Sequence, residues 1–384
     1  MIFLPDYILR IIKKIESAGH KAYCVGGAVR DLLLGLTPTD YDICSSMTPE
    51  EIISLFPHTV PTGIKHGTVT VIEDEKKVEI TTFRSDGDYS DNRHPEQVKF
   101  VRSLETDLVR RDFTINSLAF DGKNLVDITG GLSDLEGKII RAVGDAETRF
   151  SEDALRILRC FRFSAQLGFS IEKSTLSAAI KTRHLIENIS RERIAAEIIK
   201  IFESGAPELA SQIFEEGTFL FLSIPPCKIS HILNKIEKNA SLRLAVFMFT
   251  NGLDTEKISD ELKFSNKMRE EIAEYIKVFL SHDYSRAGLK RLLRFCKAEN
   301  VEAALKAKKI FEGADYAEEA GVLADIIAKG EPYKTNMLNI GGKDVLALGF
   351  SGERVGEILN FLLDKCIENP SLNQKEILLS LIHQ

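Results

Sequence analysis

The stretch "YCVGGAVRDLLLGLTPTDYDIC", residues 23–44, decides the fold. An apolar run meets Gly26 and Gly27, a helical segment follows, and after "TPT" come Asp40 and Asp42. Side chains two apart on a strand face the same way, so "TDYDIC" read as a strand projects Asp40 and Asp42 together and turns Tyr41 and Ile43 away. Two carboxylates that close repel, and a divalent cation removes the conflict; magnesium favours a few carboxylates plus phosphate oxygens. Two metals about 3.5–4 Å apart would activate one oxygen and stabilise a leaving one. Taken alone, the pair is explained more simply as an exposed turn, which Thr-Pro-Thr-Asp favours.

The upstream segment shifts that balance. Gly26 and Gly27 let the backbone approach a ligand, the following helix start presents N–H groups to an anion, and Arg30 adds a fork for phosphate. The alternative is a strand-to-helix turn with glycines for packing. No GxxxxGK[ST] pattern occurs, so this is not a Walker loop. A phosphate cradle beside a metal pair fits one ligand, a nucleoside triphosphate with magnesium.

Working outward, 384 residues exceed what one core organises, so several modules are expected. No window approaches the roughly 18 apolar residues of a membrane helix. The first twenty residues space their apolar side chains like an amphipathic helix and lack signal-peptide features, so a cytoplasmic protein is expected. Six cysteines without a CxxC pair argue against disulfides and zinc. A net charge of -7 argues against coating nucleic acid through bulk charge, though not against a local basic groove.

The fold class expected is α+β: a head with a small β-sheet and flanking helices, then an all-helical remainder. "KAYCV", "YDIC", "GTVTVI", "KKVEITTF" and "QVKFV" read as strands. "TPEEIISLF" reads as a helix with Thr48 and Glu51 forming a capping box. Residues 84–97, "RSDGDYSDNRHPEQ", are the most loop-like segment. Beyond about residue 141 strand signals nearly vanish, and "SEDALRILRCFRFSAQLGF" reads as one helix. The modules expected are a head (1–141), a neck (142–203), a body (204–310) and a tail (311–384).

"GGAVRDLLLG" followed by "DYD" resembles the first motif of the class II nucleotidyltransferases, the tRNA CCA-adding enzymes and bacterial poly(A) polymerases. "RRDFTIN" (110–116), the stretch 127–169 and "SRERIAAEI" (190–198) resemble the later motifs, in order. The resemblance implies that Asp40 and Asp42 are catalytic metal ligands for magnesium, and that a third carboxylate stands on a neighbouring strand, with Glu79 the candidate. An exposed strand glutamate explains Glu79 equally well. The tRNA 3′-hydroxyl would attack the α-phosphate of ATP or CTP, releasing pyrophosphate. Gly26, Gly27, Arg30, Arg111, Asp112, Asn116 and Arg159 would hold the nucleotide.

In the neck, Asp153 and Arg156 stand i,i+3 and are expected on one helix face, with Glu152 as a buttress for Arg156. An intrahelical Glu152–Arg156 ion pair is the plain alternative. The resemblance implies that Asp153 and Arg156 imitate a templating base. Asp only accepts and Arg only donates, a pair that suits the Watson–Crick edges of cytosine and adenine and mismatches those of guanine and uracil. The segment with Arg84, Asp86, Gly87, Asp88 and Arg93 resembles the loop that assists the switch from C to A. Toward the C-terminus, Gly349, Gly352 and Gly356 are expected to punctuate a turn into a helix that grips tRNA. His282–Asp283 lacks the histidines of a phosphohydrolase site. The rivals are an enzyme adding only A, a poly(A) polymerase and a catalytically silent RNA-binding module; oligomeric state is left open.

Overall fold

The alternating apolar residues of the first 141 positions demand a sheet with one face against helices, and the chain builds one. The computed structural model describes residues 2–86 and 98–382. The strands are β1 Ala22–Val25, β2 Asp42–Ser45, β3 Thr59–Gly63, β4 Thr68–Glu73, β5 Lys76–Thr82, β6 Arg84–Asp86, β7 Val98–Phe100, β8 Ala119–Phe120, β9 Leu125–Val126, β10 Ile139–Ile140 and β11 Ser170–Ile171. Among the described residues seven of them form one mixed sheet in the order β3-β4-β5-β2-β1-β8-β9. The β2–β5 pair is parallel and every other pair in that sheet is antiparallel.

Three early helices, α1 Asp6–Ser17, α2 Gly27–Leu33 and α3 Pro49–Leu55, supply the apolar cover. Ile8, Ile11, Ile12 and Ile15 of α1 share one core with Ile43, Ile52, Val69 and Ile80. The capping box on α3 is present: the Glu51 amide donates to Thr48 Oγ1 at 3.4 Å and the Thr48 amide to Glu51 Oε2 at 2.8 Å. The other sheet face packs Cys44, Phe83, Leu104 and Leu108.

Two expected elements differ. Strand β2 starts at Asp42, not before it, so Asp40 lies in the segment leading in. Residues 84–86 are a strand paired with β7 rather than loop. Gly87, Asp88 and Arg93 lie outside the described residues.

After α4 Leu104–Val109 and α5 Gly131–Glu136, the chain is helical: α6 Ala146–Glu152, α7 Leu155–Leu167, α8 Lys173–Thr182 and α9 Arg191–Glu203. One short exception is the parallel pairing of β10 with β11. The single helix expected over 151–169 is two, because Asp153 adopts an extended backbone (φ -140°, ψ 101°). Its carboxylate accepts the Leu155 amide at 3.1 Å, a local side-chain-to-backbone bond that competes with the helix.

The chain divides into two compact units, Met1–Lys228 and Ile229–Gln384. In the second, helices Ala240–Thr250, Asn266–Leu280 and Ala298–Glu312 bring Phe249, Phe279 and Phe311 together at 5.2–5.8 Å between ring centroids. Gly349 (φ 89°) and Gly352 (φ 61°) do mark a turn, and Gly352 caps the helix Glu353–Glu368. Gly356 lies within that helix rather than in the turn.

Candidate active site

Sheet register explains how residues far apart in sequence meet. Val25 pairs with Asp42 across β1 and β2, so the Gly26 turn that ends β1 lies beside the start of β2. Asp42 in turn pairs with Glu79 across the parallel β2–β5 ladder. Side chains of paired residues share a face, so the two carboxylates stand side by side while Ile43 and Ile80 point to the opposite core. Asp40, Asp42 and Glu79 line one cavity of about 540 Å³, with Tyr41, Val60, Thr70 and Lys77.

Partial desolvation pushes the Asp42 carboxyl above its ordinary range; Glu79 and Asp40 add to the rise and Arg111 opposes it. That is the conflict a cation relieves, so the donor set suits a hard divalent ion. Among the described residues no three His, Cys, Asp or Glu side chains close into a ready-made cage. Lys77 was not anticipated, although its place two residues before Glu79 on β5 puts it on the carboxylate face.

Gly26 adopts φ 72°, a left-handed conformation that glycine accepts without strain. A side-chain carbon added there would lie 3.5 Å from Arg111 Nη1, so the Arg111 guanidinium packs against the turn. Arg30 is buried. Its Nη1 donates to Asn116 Oδ1 at 2.7 Å, its Nε to Asp31 Oδ1 at 2.9 Å, and its guanidinium lies 5.1 Å from the Phe163 ring centroid. At Gly27 an added carbon would meet Arg30 Nη2 at 3.5 Å.

The "RRDFTIN" segment is no surface turn: Phe113 and Ile115 are fully buried. Asp112 is its hub. Arg159 donates to Asp112 Oδ2 through Nε (2.8 Å) and Nη2 (2.6 Å), and Asn116 Nδ2 donates to Oδ1 at 3.2 Å. Burial alone would raise the Asp112 pKa, but Arg159, Asn116 and the Phe113 amide hold it down to about 2. The resulting chain Arg30–Asn116–Asp112–Arg159 joins α2 to α7. Phe163 receives Arg30, Arg159 and Arg162 against its ring, a contact that helical spacing in α7 alone does not announce.

Sequence reading missed Asp107, whose side chain is fully buried. It accepts Arg110 and Arg111, and its i,i+3 and i,i+4 spacing to them was the available signal. Arg84 opens β6, where its amide donates to Asp107 Oδ1 at 3.3 Å and its Nη1 to the His66 carbonyl at 2.5 Å.

After residue 141, the structure corrects the single helix expected to carry Asp153 and Arg156. Asp153 is extended and precedes the helix that carries Arg156, and its Oδ2 lies 3.6 Å from Arg193 Nη2 on α9. Arg156 is buried; it donates to Glu152 Oε2 at 2.7 Å, to the Arg149 carbonyl at 3.1 Å and to the Arg110 carbonyl at 3.3 Å.

A mixed sheet with a glycine turn, paired carboxylates on its interior strands and a helical continuation defines a nucleotidyltransferase head. Accordingly, residues 22–141 match the poly A polymerase head domain, and residues 168–220 match the probable RNA and SrmB-binding site of polymerase A. The CCA-adding enzyme of Ligilactobacillus salivarius is 38% identical over 98% of this chain and 96% of its own. That of Enterococcus faecalis is 34% identical over 96% and 93%. The Bacillus stearothermophilus CCA-adding enzyme, solved in complex with CTP, superposes with a TM-score of 0.83 at 30% identity over 98% of this chain and 96% of that one. The chain belongs to the CCA-adding enzyme family. It is therefore a tRNA nucleotidyltransferase, of a class that works with a divalent metal. Among the described residues no helix is long and apolar enough to cross a membrane.

Proposed function

We propose that this chain builds the CCA end of tRNA without a nucleic-acid template, drawing on CTP and ATP and releasing pyrophosphate. The observation that carries the reading is the register that seats Asp42 beside Glu79 and beside the Gly26 turn, with Asp40 on the same cavity. In this reading Asp40 and Asp42 hold magnesium, with Glu79 as the third carboxylate. When bound, the metal would supply activation of the attacking 3′-hydroxyl and charge for the leaving oxygen.

The chain's own residues do the rest. Gly26 and Gly27 admit the triphosphate close to the backbone, and Arg111 faces it. Asp112 and Asn116, held by Arg159 and Arg30, present acceptors and donors to the ribose. Asp153 and Arg156 read the base edge, and Glu152 fixes Arg156. Arg84 supports the stem of the segment that assists the switch to A. We assign 1–141 to the head, 142–203 to the neck, 204–310 to the body and 311–384 to a tail that binds tRNA, in a cytoplasmic protein.

The test supplies purified protein and magnesium with tRNA lacking CCA, or ending in CC, and each labelled nucleotide alone and paired. Addition of C, C and A from CTP plus ATP, absent in the Asp40→Ala, Asp42→Ala double variant, is the expected result. Extension of only the CC-ended tRNA by one A would mark an A-adding enzyme, and no incorporation would overturn the reading.

A further inference from the structure

We propose that Asp107 is a positioning residue for nucleotide recognition, holding Arg111 against the glycine turn and fixing the peptide that receives Arg156. This rests on the reading of Arg111 as a nucleotide-binding arginine.

The geometry is specific. Asp107 Oδ2 accepts Arg111 Nη2 at 3.0 Å. The opposite arm of the same guanidinium, Nη1, is the group that packs against Gly26. The Asp107 side chain has none of its surface exposed, so it reaches substrate only through the residues it holds. Its Oδ1 accepts Arg110 Nε at 3.0 Å and Nη2 at 2.7 Å, and the Arg84 amide. Pinning Arg110 fixes the carbonyl that accepts Arg156 Nη2 and Arg149 Nη1, both at 3.3 Å. One carboxylate thus orients an arginine on the triphosphate side and the peptide beneath the base-reading arginine. Burial opposes its charge, while Arg111 and Arg110 hold its pKa below the usual range. An ionised group placed so deep acts by charge and direction, not by filling space.

Charge and shape are separable here. Asp107→Asn keeps the shape and removes the charge; Asp107→Glu keeps the charge and alters the shape. Binding of CTP to the full-length chain is measured at equilibrium, beside KM and kcat for CTP on tRNA lacking CCA. Asp107→Asn is expected to weaken CTP about tenfold, and Asp107→Glu to recover to within about threefold of wild type. In an Arg111→Ala background, Asp107→Asn is expected to add less than about threefold, because the Arg111 arm is gone and only the Arg110 arm remains. A packing role predicts the reverse order, with Asn better than Glu, and that order overturns the inference, as do losses that multiply in the double variant. Should Asp107→Asn fail to fold, the Asp107→Glu and Arg111→Ala cycle carries the same criterion. Normal CTP binding by Arg111→Ala sinks this inference and leaves the proposed function standing; a wild-type chain that binds no CTP sinks both.

Discussion

Residues 1–228 and 229–384 bury charge in different ways. In the first unit buried carboxylates are paired with arginines: Asp107 with Arg110 and Arg111, Asp112 with Arg159, and Glu197 with Arg162 at 2.7 Å. In the second, Lys290 is buried with Glu331 at 3.2 Å and the buried Arg243 and Lys308 donate to backbone carbonyls, while most carboxylate pairs are exposed, such as Lys306 with Glu302. Its interior is made by aromatic rings and aliphatic helix faces. Linked buried charge costs desolvation that apolar packing avoids, so it is retained where it fixes direction. The difference teaches that the first unit is built to orient polar groups, and the second to hold a helical shape.

The sharpest way to break that comparison is Asp42→Ala. Incorporation should fall by at least about 10³-fold, about 4 kcal/mol in the barrier. The melting temperature should hold or rise, since the substitution removes a carboxyl whose charge its neighbours disfavour. A large loss of stability instead would mean that the site residues carry the fold. Next comes Lys290→Met, which removes one of the two cations on Glu331 and leaves Arg286 at 2.8 Å. It should cost about 2 kcal/mol by calorimetry, the loss of one hydrogen bond to a charged group, and leave the CTP KM within about twofold. A change in KM alongside the loss would erase the functional contrast between the units.

Acid sharpens it further. Because the Asp112 pKa is depressed in the folded chain, its contribution is complete above the ordinary carboxylate range and is lost as pH falls through about 2. The loss should reach about 2 kcal/mol in denaturant titrations between pH 5 and 2. Asp112→Asn should flatten that part of the profile. Smallest is Lys306→Ala in the second unit, where both partners are exposed and stability should change by less than about 0.5 kcal/mol. A larger change there would show that surface charge matters in that unit too.

Local chemistry was legible in the chain itself. The alternation of "YDIC" and "KKVEITTF", the Thr48–Glu51 box and the glycine pair each depend on neighbours a few residues away, and they appear as expected. The ordered motifs identified the nucleotidyltransferase class for the same reason. Glu79 needed more: it is exposed on its strand, and only the parallel register with β2 places it beside Asp42. Asp153 was misplaced because helical periodicity does not reveal when an Asp side chain captures a backbone amide and breaks the helix. Asp107, Phe163 and Arg193 gain their partners through contacts that spacing hints at or hides. Thus the sequence by itself determined the central strands, the Thr48 cap, the chemistry of the motif residues and the family. Only the tertiary structure decided which carboxylates share a cavity, which arginine holds which acid, and where the helix expected over 151–169 breaks. Those are long-range choices, made when burial leaves each polar group no solvent and obliges it to find a partner far along the chain.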